Sequence, residues 1–473
     1  LAGGALVVTG QLGSADGVLR FGDVGERLDI AAGGRLLGQV DMAGGDDIVT
    51  FADGALWQGT LSGGAGHDGL ILQMANPRTL DANSLLGFEA ITAQGAAMLT
   101  LVNGFTLQSL SVEGHLTLVS DAALTTDSLT FGSADNRFVI NGLFAGSIDG
   151  GAGNNHILLN AGSAAAPVRF GAVNNIAGLD MSGGYATVSG DADFGLIDLT
   201  SGRLVGLAGS TIRAGSISVR QGATFGSAGH VIGNVNVAGT LSPGASPGTM
   251  TVTGNVALTG GSTTLMEVSP TLSDQLLISG TLTIAQGAGL VLTADQQIKP
   301  GTTLDLIIAD GGISGSYTSI VKPDSLFGFV VQDDTRIRLL GRFLNNGSFT
   351  PQVQRAIDYT NGVIGAGMAS DGLIDALPVL ASASGASNST AFARLTAEPY
   401  ASATQMGVEN GLTIANATRG REVMPLERIV DMAVSRLRQR LRDTGKCPRL
   451  IRTVRGSGYL LAAQVVPHHD AFG

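Results

Sequence analysis

The stretch GNVNVAGTLSPGASPGTMTVTGNVALTGGSTTLME, residues Gly233–Glu267, shows the pattern that decides the fold. Short runs of Val, Leu, Thr and Ala alternate with turns of small residues, one of which contains the pair Gly260-Gly261. Glycine adopts positive φ angles at low steric cost, so such pairs mark turns, and the β-branched runs between them are typical of strands. The stretch therefore predicts short β-strands joined by tight turns.

The same pattern recurs from Leu1 to about Leu340, without a sustained helical period. Two architectures fit many short strands at near-regular spacing: an antiparallel sandwich or barrel array, and a parallel solenoid. The pattern continues without a break into smaller domains, and aromatic residues make up only 5% of the chain, whereas sandwich cores use aromatic anchors. These observations favour a mainly β fold, a right-handed parallel β-helix.

Composition excludes several other classes of protein. The chain has 473 residues, of which 71 are Gly, and only 14% are charged, yet 44% are hydrophobic, so it is not a solvated disordered polymer. Glycine does not fall at every third position, which excludes collagen, and no apolar run is long enough for a membrane-spanning helix. Cys447 is the single cysteine, so no internal disulfide can form.

Charge divides the chain into two parts. The net charge is −11, yet residues 421–473 are rich in Arg and basic, so the preceding part is more acidic than the total suggests. Such a change of sign predicts two segments with different partners. The chain begins at Leu1 rather than Met, and strand-like residues follow at once, so we expect a fragment rather than a mature N-terminus.

The LSPGASPGT string, Leu241–Thr249, carries a family resemblance. With its flanking strands it resembles the passenger-associated transport repeat of bacterial autotransporters, the proteins of type V secretion. The resemblance covers most of residues 1–419. It implies a β-helix passenger over residues 1–345, with the transport repeat at about 233–267. It also implies a partly helical junction over residues 346–420, which would precede a translocator barrel that the chain lacks.

The same resemblance implies a function. An autotransporter passenger is exported and displayed at the cell surface or outer membrane, or secreted, where it adheres to molecules on host or neighbouring cells. The transport repeat and the following turns would form a stable nucleus that folds first outside the cell. This interpretation requires no enzymatic activity and no cofactor.

The basic tail carries a second resemblance. Met424–Asp443 has apolar residues at helical spacing, and Arg449–Val465 reads as two short strands around a Gly-Ser-Gly turn. This segment resembles the end of the OmpR/PhoB-type winged-helix DNA-binding domain of response regulators. The resemblance implies that Arg436 and Arg438 face DNA from the recognition helix and that Arg455 is the wing arginine.

These two resemblances imply different compartments and leave two hypotheses open. One is an exported passenger, and the alternative is a cytoplasmic DNA-binding regulator that acts through its tail at residues 421–473. The simplest account of both is that the chain joins pieces of two genes near Arg419–Met424. Only a partial winged helix is present, so we expect DNA binding to be weak and mainly electrostatic.

One motif points to calcium. GGAGHDGLI, residues Gly63–Ile71, matches the calcium-binding nonapeptide, in which Asp68 would supply a carboxylate. GGAGNNHIL, residues Gly150–Leu158, is a second copy with Asn155 in place of Asp, and GGDDI, residues Gly44–Ile48, is a truncated third. The copies are not in tandem, which favours ordinary solenoid turns over a calcium site.

A further alternative is an enzyme that acts on polysaccharides, because some parallel β-helices do so. Asp191 and Asp193 would share one face of a strand, and Asp198 would lie nearby. No histidine stands beside a nucleophilic serine motif, and no Cys/His spacing suggests zinc. We therefore predict that the chain is not an enzyme.

Overall fold

A computed structural model describes most of the chain up to residue 396 and short pieces beyond it. The described residues are 3–244, 247–269, 273–294, 303–323, 326, 329–341, 343, 345, 347–365, 368, 370–381, 387–396, 434–439, 443, 449–454 and 458–461. They divide into two compact units, Leu1–Phe392 and Ala393–Gly473. The fold is mostly β, with 58% strand and 8% helix, as the sequence predicts.

The first unit is built mostly from short strands, with two long strands, Val168–Val188 and Asp191–Gly206, in its middle part. Its N-terminal part contains β1 Ala5–Val8, β2 Gln11–Arg20, β3 Arg27–Ile30, β4 Arg35–Asp41, β5 Ile48–Phe51, β6 Leu56–Ser62, β7 Gly69–Met74, β8 Arg78–Asp81, β9 Leu85–Leu86, β10 Ala90–Gly95 and β11 Met98–Val102. Its middle part contains β12 Phe105–Gly114, β13 Thr117–Ser120, β14 Leu124–Phe131, β15 Arg137–Ile140, β16 Phe144–Asp149, β17 His156–Ala161, β18 Val168–Val188, β19 Asp191–Gly206, β20 Thr211–Val219, β21 Ala223–Ser227 and β22 His230–Val237. Its C-terminal part contains β23 Thr240–Pro243, β24 Thr249–Thr253, β25 Val256–Leu258, β26 Thr263–Glu267, β27 Gln275–Ile278, β28 Leu282–Ile284, β29 Gly289–Thr293, β30 Thr303–Ala309, β31 Ile313–Gly315, β32 Ser319–Val321, β33 Phe329–Gln332 and β34 Arg336–Leu340.

These strands stack in parallel, turn upon turn, into a β-solenoid of about twelve turns. One face runs through β1, β3, β5, β7, β10 and β12, a second through β8, β11, β13, β15 and β17, and a third begins with β2, β4, β6 and β9. Paired residues lie about 19 to 24 positions apart in the first turns, and up to 31 near the C-terminal end. The predicted parallel β-helix is confirmed as a parallel solenoid.

Alternation of apolar and polar residues explains the stacking. Successive side chains of a strand point to opposite faces, so one set enters the core of each turn. Register then aligns that set between turns, as for Leu28, Val49 and Leu70, all fully buried. Burying each such side chain stabilises the fold by roughly 1.5–3 kcal/mol. A continuous interior column of aliphatic residues results.

The C-terminal end of the solenoid differs from its body. β34 pairs antiparallel with β30 and with β33, so the parallel stacking ends there. Three helices follow: α1 Pro351–Gly365, α2 Asp371–Leu380 and α3 Ser389–Ala393. Phe343 and Phe392 are fully buried, and their rings pack edge to face with centroids 4.9 Å apart. The partly helical character expected after the solenoid is therefore observed.

The second unit has a helix over residues 434–439 and a hairpin of β35 Ile451–Val454 and β36 Gly458–Leu461. The two strands pair antiparallel, with Ile451 opposite Leu461. The predicted hairpin is therefore present, whereas most of the predicted helix over 424–443 lies outside the described residues.

Candidate functional site

The nonapeptide Gly63–Ile71 forms a corner where two turns of the backbone touch. Gly64 has a φ of +102°, which favours glycine, and a β-carbon there would collide with the carbonyl oxygen of Ala43 in the preceding turn. A β-carbon at Gly63 would likewise strike the carbonyl oxygen of Gly87 in the following turn. The Gly-Gly pair is therefore explained by close approach of backbones, which a solenoid corner requires.

Asp68 points into the solenoid rather than into solvent. Its side chain is fully buried, and Oδ1 accepts a hydrogen bond of 2.8 Å from the backbone N–H of Asp47, one turn earlier. The carboxylate thus accepts a hydrogen bond from a buried N–H group of the preceding turn. This role explains why an aspartate stands at position 68 without requiring a metal ion.

The same arrangement repeats in the neighbouring turns. Asp47 Oδ1 accepts from the N–H of Glu26 at 2.7 Å, and Glu89 Oε2 accepts from the N–H of Asp68 at 2.8 Å. Partners lie 21 residues apart at each step. We call Glu26, Asp47, Asp68 and Glu89 the acid ladder. The nonapeptide predicts Asp68 as a calcium ligand, and its truncated copy includes Asp47, but neither points to Glu26 or Glu89; an acidic residue at every 21st position was the signal that could have revealed them.

A different corner of later turns, just before β15 and β17 on the second face, uses amides in the same way. Asn155 of the second motif copy is fully buried, and its Oδ1 accepts from the N–H of Asn136 at 2.9 Å. Asn136 Oδ1 in turn accepts from the N–H of Leu116 at 2.8 Å. We call Asn136 and Asn155 the amide ladder. The Asp-to-Asn change between motif copies therefore preserves the acceptor and removes a titratable group.

Charge makes the acid ladder unusual. The second oxygens of Asp47 and Asp68 and both carboxyl oxygens of Glu26 have no hydrogen-bond partner among the described residues, although all three residues are buried. Burial raises the pKa of Asp47 to about 6, and the nearby carboxyls of Asp68 and Glu26 add to the rise. Burial also raises the pKa of Asp68, and the carboxylates of Glu89 and Asp46 reinforce it.

The described residues offer no ready calcium cage. No group of three or more His, Cys, Asp or Glu side chains within them is placed to hold a metal ion. Asp68 has one oxygen engaged with backbone and the other enclosed beside Gly63. Calcium binding at Asp68 stays a prediction.

A polar groove lies on the outer surface of the middle turns. It has a volume of about 400 Å³ and is lined by side chains of consecutive turns. Those lining residues are His115, Leu116, Thr117, Asp135, Asn136, Arg137, His156, Leu158 and Asp180. The groove thus brings together two imidazoles, two carboxylates and one guanidinium, because the register of the strands places them on the same face.

Register explains how the groove is built. Arg137, His156 and Gly178 are successive partners on one face of the solenoid. The imidazole of His156 lies over Gly178, where a β-carbon would come within 2.7 Å of Nδ1. Nδ1 also lies 3.8 Å from Oδ2 of Asp180. Glycine at position 178 therefore makes the room in which the imidazole and the carboxylate meet.

The carboxylates considered for glycan chemistry separate into two settings. Asp191 and Asp193 are exposed on the same side of β19, with buried Ala192 between them. Asp198 instead forms a bidentate ion pair with Arg220, at 2.6 and 2.8 Å, and this pair lowers the pKa of Asp198. Asp198 is therefore committed to a structural contact, and the absence of enzymatic activity stays a prediction.

In the second unit Asp443 organises the start of the hairpin. Its carboxylate accepts hydrogen bonds from the N–H groups of Ile451, Arg449 and Leu450, which lower its pKa. Arg438 donates to the carbonyl oxygen of Ile451 at 2.7 and 3.2 Å, so its guanidinium ties the helix to β35.

The three residues expected to contact DNA therefore differ in setting. Arg436 is exposed on the helix, Arg438 is half-buried against the hairpin, and Arg455 lies outside the described residues. Their DNA-binding roles stay predictions. None of the helices in the described ranges is both long and apolar enough to cross a membrane.

Comparison with known proteins concerns the C-terminal segment. Residues 411–461 match the family described as "Transcriptional regulatory protein, C terminal". The chain is 93% identical over 56 residues to the transcriptional regulatory protein GltR of Pseudomonas aeruginosa. It is 49% identical over 45 residues to the transcriptional regulatory protein AruR of the same organism.

These matches cover a small part of each protein. The aligned segments are 12% and 10% of this chain, and the chain spans 23% of GltR and 18% of AruR. The C-terminal segment is thus related to the DNA-binding domain of response regulators, as its sequence indicates. The family match begins at residue 411, after β34, the last strand of the solenoid.

Proposed function

We propose that the solenoid is the displayed passenger of an autotransporter and that it binds molecules on the surface of host or neighbouring cells. The observation that carries the proposal is the long parallel stack, in which β23 contains the start of the transport-repeat string, Leu241–Thr249, and β24 begins at its last residue. Each turn of a solenoid contacts only its neighbouring turns, so adding turns lengthens the structure. A passenger built in this way displays a long surface.

The region around the repeat has the contacts expected of a stable folding nucleus. Asp274 is buried, and its carboxylate accepts from the N–H of Glu267 at 2.7 Å and of Gly248 at 3.0 Å, which ties two turns together. Tyr317 donates its hydroxyl to Thr264 at 2.9 Å from a later turn. These polar ties join turns that already share an apolar core.

The polar groove is the contact surface that we assign to the passenger. Its imidazoles, carboxylates and Arg137 offer hydrogen-bond donors and acceptors over about 400 Å³, enough for a few sugar units. Saccharides on cell surfaces present hydroxyl groups that such side chains bind. We therefore propose a surface saccharide as the partner.

A passenger-replacement experiment tests display. Residues 1–419 are placed between the signal peptide and the translocator of a working autotransporter, and intact cells are treated with protease. We expect the solenoid to be accessible outside the cell, with a resistant fragment that contains Gly233–Leu340. Retention in the periplasm would contradict the proposal. Val235→Asp, which puts a charge into the buried core, serves as a folding-defective control.

A saccharide array tests the groove with the full chain. Arg137→Ala and His156→Ala should each weaken binding at least about tenfold, since each removes a hydrogen-bonding group from one small site. Asp193→Ala, an exposed carboxylate on β19, is the matched control and should leave binding unchanged. Equal binding by all variants would exclude the groove as the contact surface.

A second candidate function is DNA binding through the tail, favoured by the family match and by the exposed Arg436. A gel-shift series with the full chain over increasing salt should show weak binding that salt abolishes. Arg436→Ala should weaken it, whereas Arg169→Ala on the solenoid should not. Absence of binding at low salt would exclude this function.

The two proposals place the chain in different compartments, the cell surface and the cytoplasm. We propose that the chain joins pieces of two genes near Arg419–Met424, which explains both. Sequencing the locus across this junction tests the idea, and relatives in which every gene for this solenoid continues into the same tail would contradict it.

A further inference from the structure

The acid ladder places carboxyl groups where water does not reach them. Asp47 and Asp68 are fully buried and Glu26 is 3% exposed, and the spacing of 21 residues stacks them directly over one another. Backbone N–H groups satisfy one oxygen of Asp47 and one of Asp68. The remaining oxygens of both, with the Glu26 carboxyl, face the interior without a donor among the described residues.

Carboxyl groups outnumber positive charges around the stack in the part of the chain that the structure describes. The charged groups that act on Asp47 are Asp68 and Glu26, and those that act on Asp68 are Glu89, Asp46 and the exposed His67. None of the ion pairs among the described residues involves a member of the ladder. Buried carboxylates without a counter-ion are costly, so the ladder must take up a cation or a proton.

Geometry favours the proton. No group of acidic or imidazole side chains in the described ranges is placed to hold a metal ion. A side-chain hydrogen bond with Glu26, by contrast, adds to the rise in the pKa of Asp47, and such a bond between two carboxyl groups requires a proton on one of them. A shared proton supplies the donor that the unpartnered oxygens lack.

We propose that the stack of Glu26, Asp47 and Asp68 is a proton-binding site that makes the N-terminal turns of the solenoid more stable in mildly acidic than in alkaline medium. The proton stays on a carboxyl oxygen and is hydrogen-bonded to the neighbouring carboxylate, so no bond to carbon changes. If the chain is displayed outside the cell, as proposed above, its N-terminal turns would be more stable in acidic than in alkaline surroundings.

The direction follows from linkage. A carboxyl whose pKa is higher in the folded than in the unfolded chain stabilises the fold below the unfolded value, and this contribution is lost as the pH rises through the folded value. For Asp47 the loss falls between its ordinary 3.8 and about 6. The N-terminal turns should therefore loosen over this range, while the amide-lined turns should not.

Hydrogen exchange of the full chain, followed by mass spectrometry, tests the proposal. Protection factors in peptides from β3, β5 and β7 should fall at least about tenfold between about pH 5 and about pH 8, whereas those from β13 and β15 should change little. Asp47→Asn and Asp68→Asn keep the acceptor oxygen and should remove the pH dependence. Asn155→Asp should introduce it in the amide-lined turns.

Three results would overturn the proposal. Protection in the N-terminal turns could be independent of pH, or its loss at high pH could persist in the double variant Asp47→Asn/Asp68→Asn. Millimolar calcium chloride could instead restore protection at about pH 8 in the wild-type chain and not in Asp68→Asn, which would identify a cation site. Should Asp47→Asn fail to fold, the Asn155→Asp comparison still decides.

Discussion

The acid-lined and the amide-lined turns of the solenoid solve the same problem with different chemistry. In both, a side-chain oxygen accepts the N–H of a residue one turn earlier, through Asp47 and Asp68 in one region and through Asn136 and Asn155 in the other. An amide also donates: Nδ2 of Asn136 bonds the carbonyl oxygen of Ala134 at 2.8 Å. Each carboxylate leaves an oxygen without a partner among the described residues, so we expect the acid-lined turns to respond to pH more than the amide-lined turns.

The largest effect should come from the core of the amide-lined region and the turns that follow it. Phe138, Phe144, Phe170 and Phe194 form a column of rings with successive centroids 5.3, 5.9 and 6.5 Å apart. Phe170→Ala should lower the free energy of unfolding by about 3–5 kcal/mol, because it opens a cavity in the column. Urea denaturation measures this loss. A much smaller value would mean that the polar ladder, not packing, stabilises these turns.

The next effect concerns a corner of the acid-lined region. Gly64→Ala should cost about 3 kcal/mol, since alanine must hold a strained φ and also displace the Ala43 carbonyl. Gly261→Ala is the matched control, because its φ is also positive but a β-carbon there meets no atom within 4 Å. Thermal denaturation compares the loss of stability in the two variants. Equal losses would mean that the strained φ, and not the collision with the Ala43 carbonyl, causes the effect at Gly64.

A smaller effect tests the ladders directly. Asn136→Ala removes the acceptor for Leu116 N–H and should cost about 2 kcal/mol, the penalty for a buried unsatisfied donor. Asp68→Asn keeps its acceptor and should not destabilise at neutral pH. Chemical denaturation at neutral pH compares the two, and a loss in Asp68→Asn as large as in Asn136→Ala would contradict the equivalence of the ladders.

The smallest effect should come from the surface. Arg220→Ala breaks the ion pair with Asp198, and because solvent screens the exposed Arg220, the free energy of unfolding should fall only slightly. The loss should shrink further at high salt. A larger effect, unchanged by salt, would mean that the arginine contributes by packing.

Much of the fold could be predicted from the sequence because its rules are local. Ile48–Phe51 and Met98–Val102 are short apolar runs of the kind that the pattern predicts as strands, and both form strands. The sequence also predicts the Gly63-Gly64 turn. It does not show why both residues must be glycine, because that depends on the register that brings neighbouring turns into contact with them. Residues 19 to 24 positions apart become neighbours only after stacking, so the groove around His156 and Asp180 could not be found from a linear motif.

The setting of Asp68 could not be predicted from the motif. The nonapeptide letters fit a calcium loop, and the same letters fit a corner whose acidic side chain turns inward to meet Asp47. Spacing between acidic residues carried the missing information, since Glu26, Asp47, Asp68 and Glu89 repeat at the length of one turn. In the tail, Arg438 was expected at a DNA surface, yet its tie to the Ile451 carbonyl depends on how the hairpin folds back.

The equal spacing of the acid ladder also means that the N-terminal turns have the same length, 21 residues, so one turn could replace another. Excising 21 residues between equivalent points of two turns would leave every later strand in phase with its new neighbour, whereas removing ten would rotate all later side chains to wrong positions. Such a rod can grow or shrink during evolution by copying or losing whole turns, and its reach can change while its cross-section stays the same.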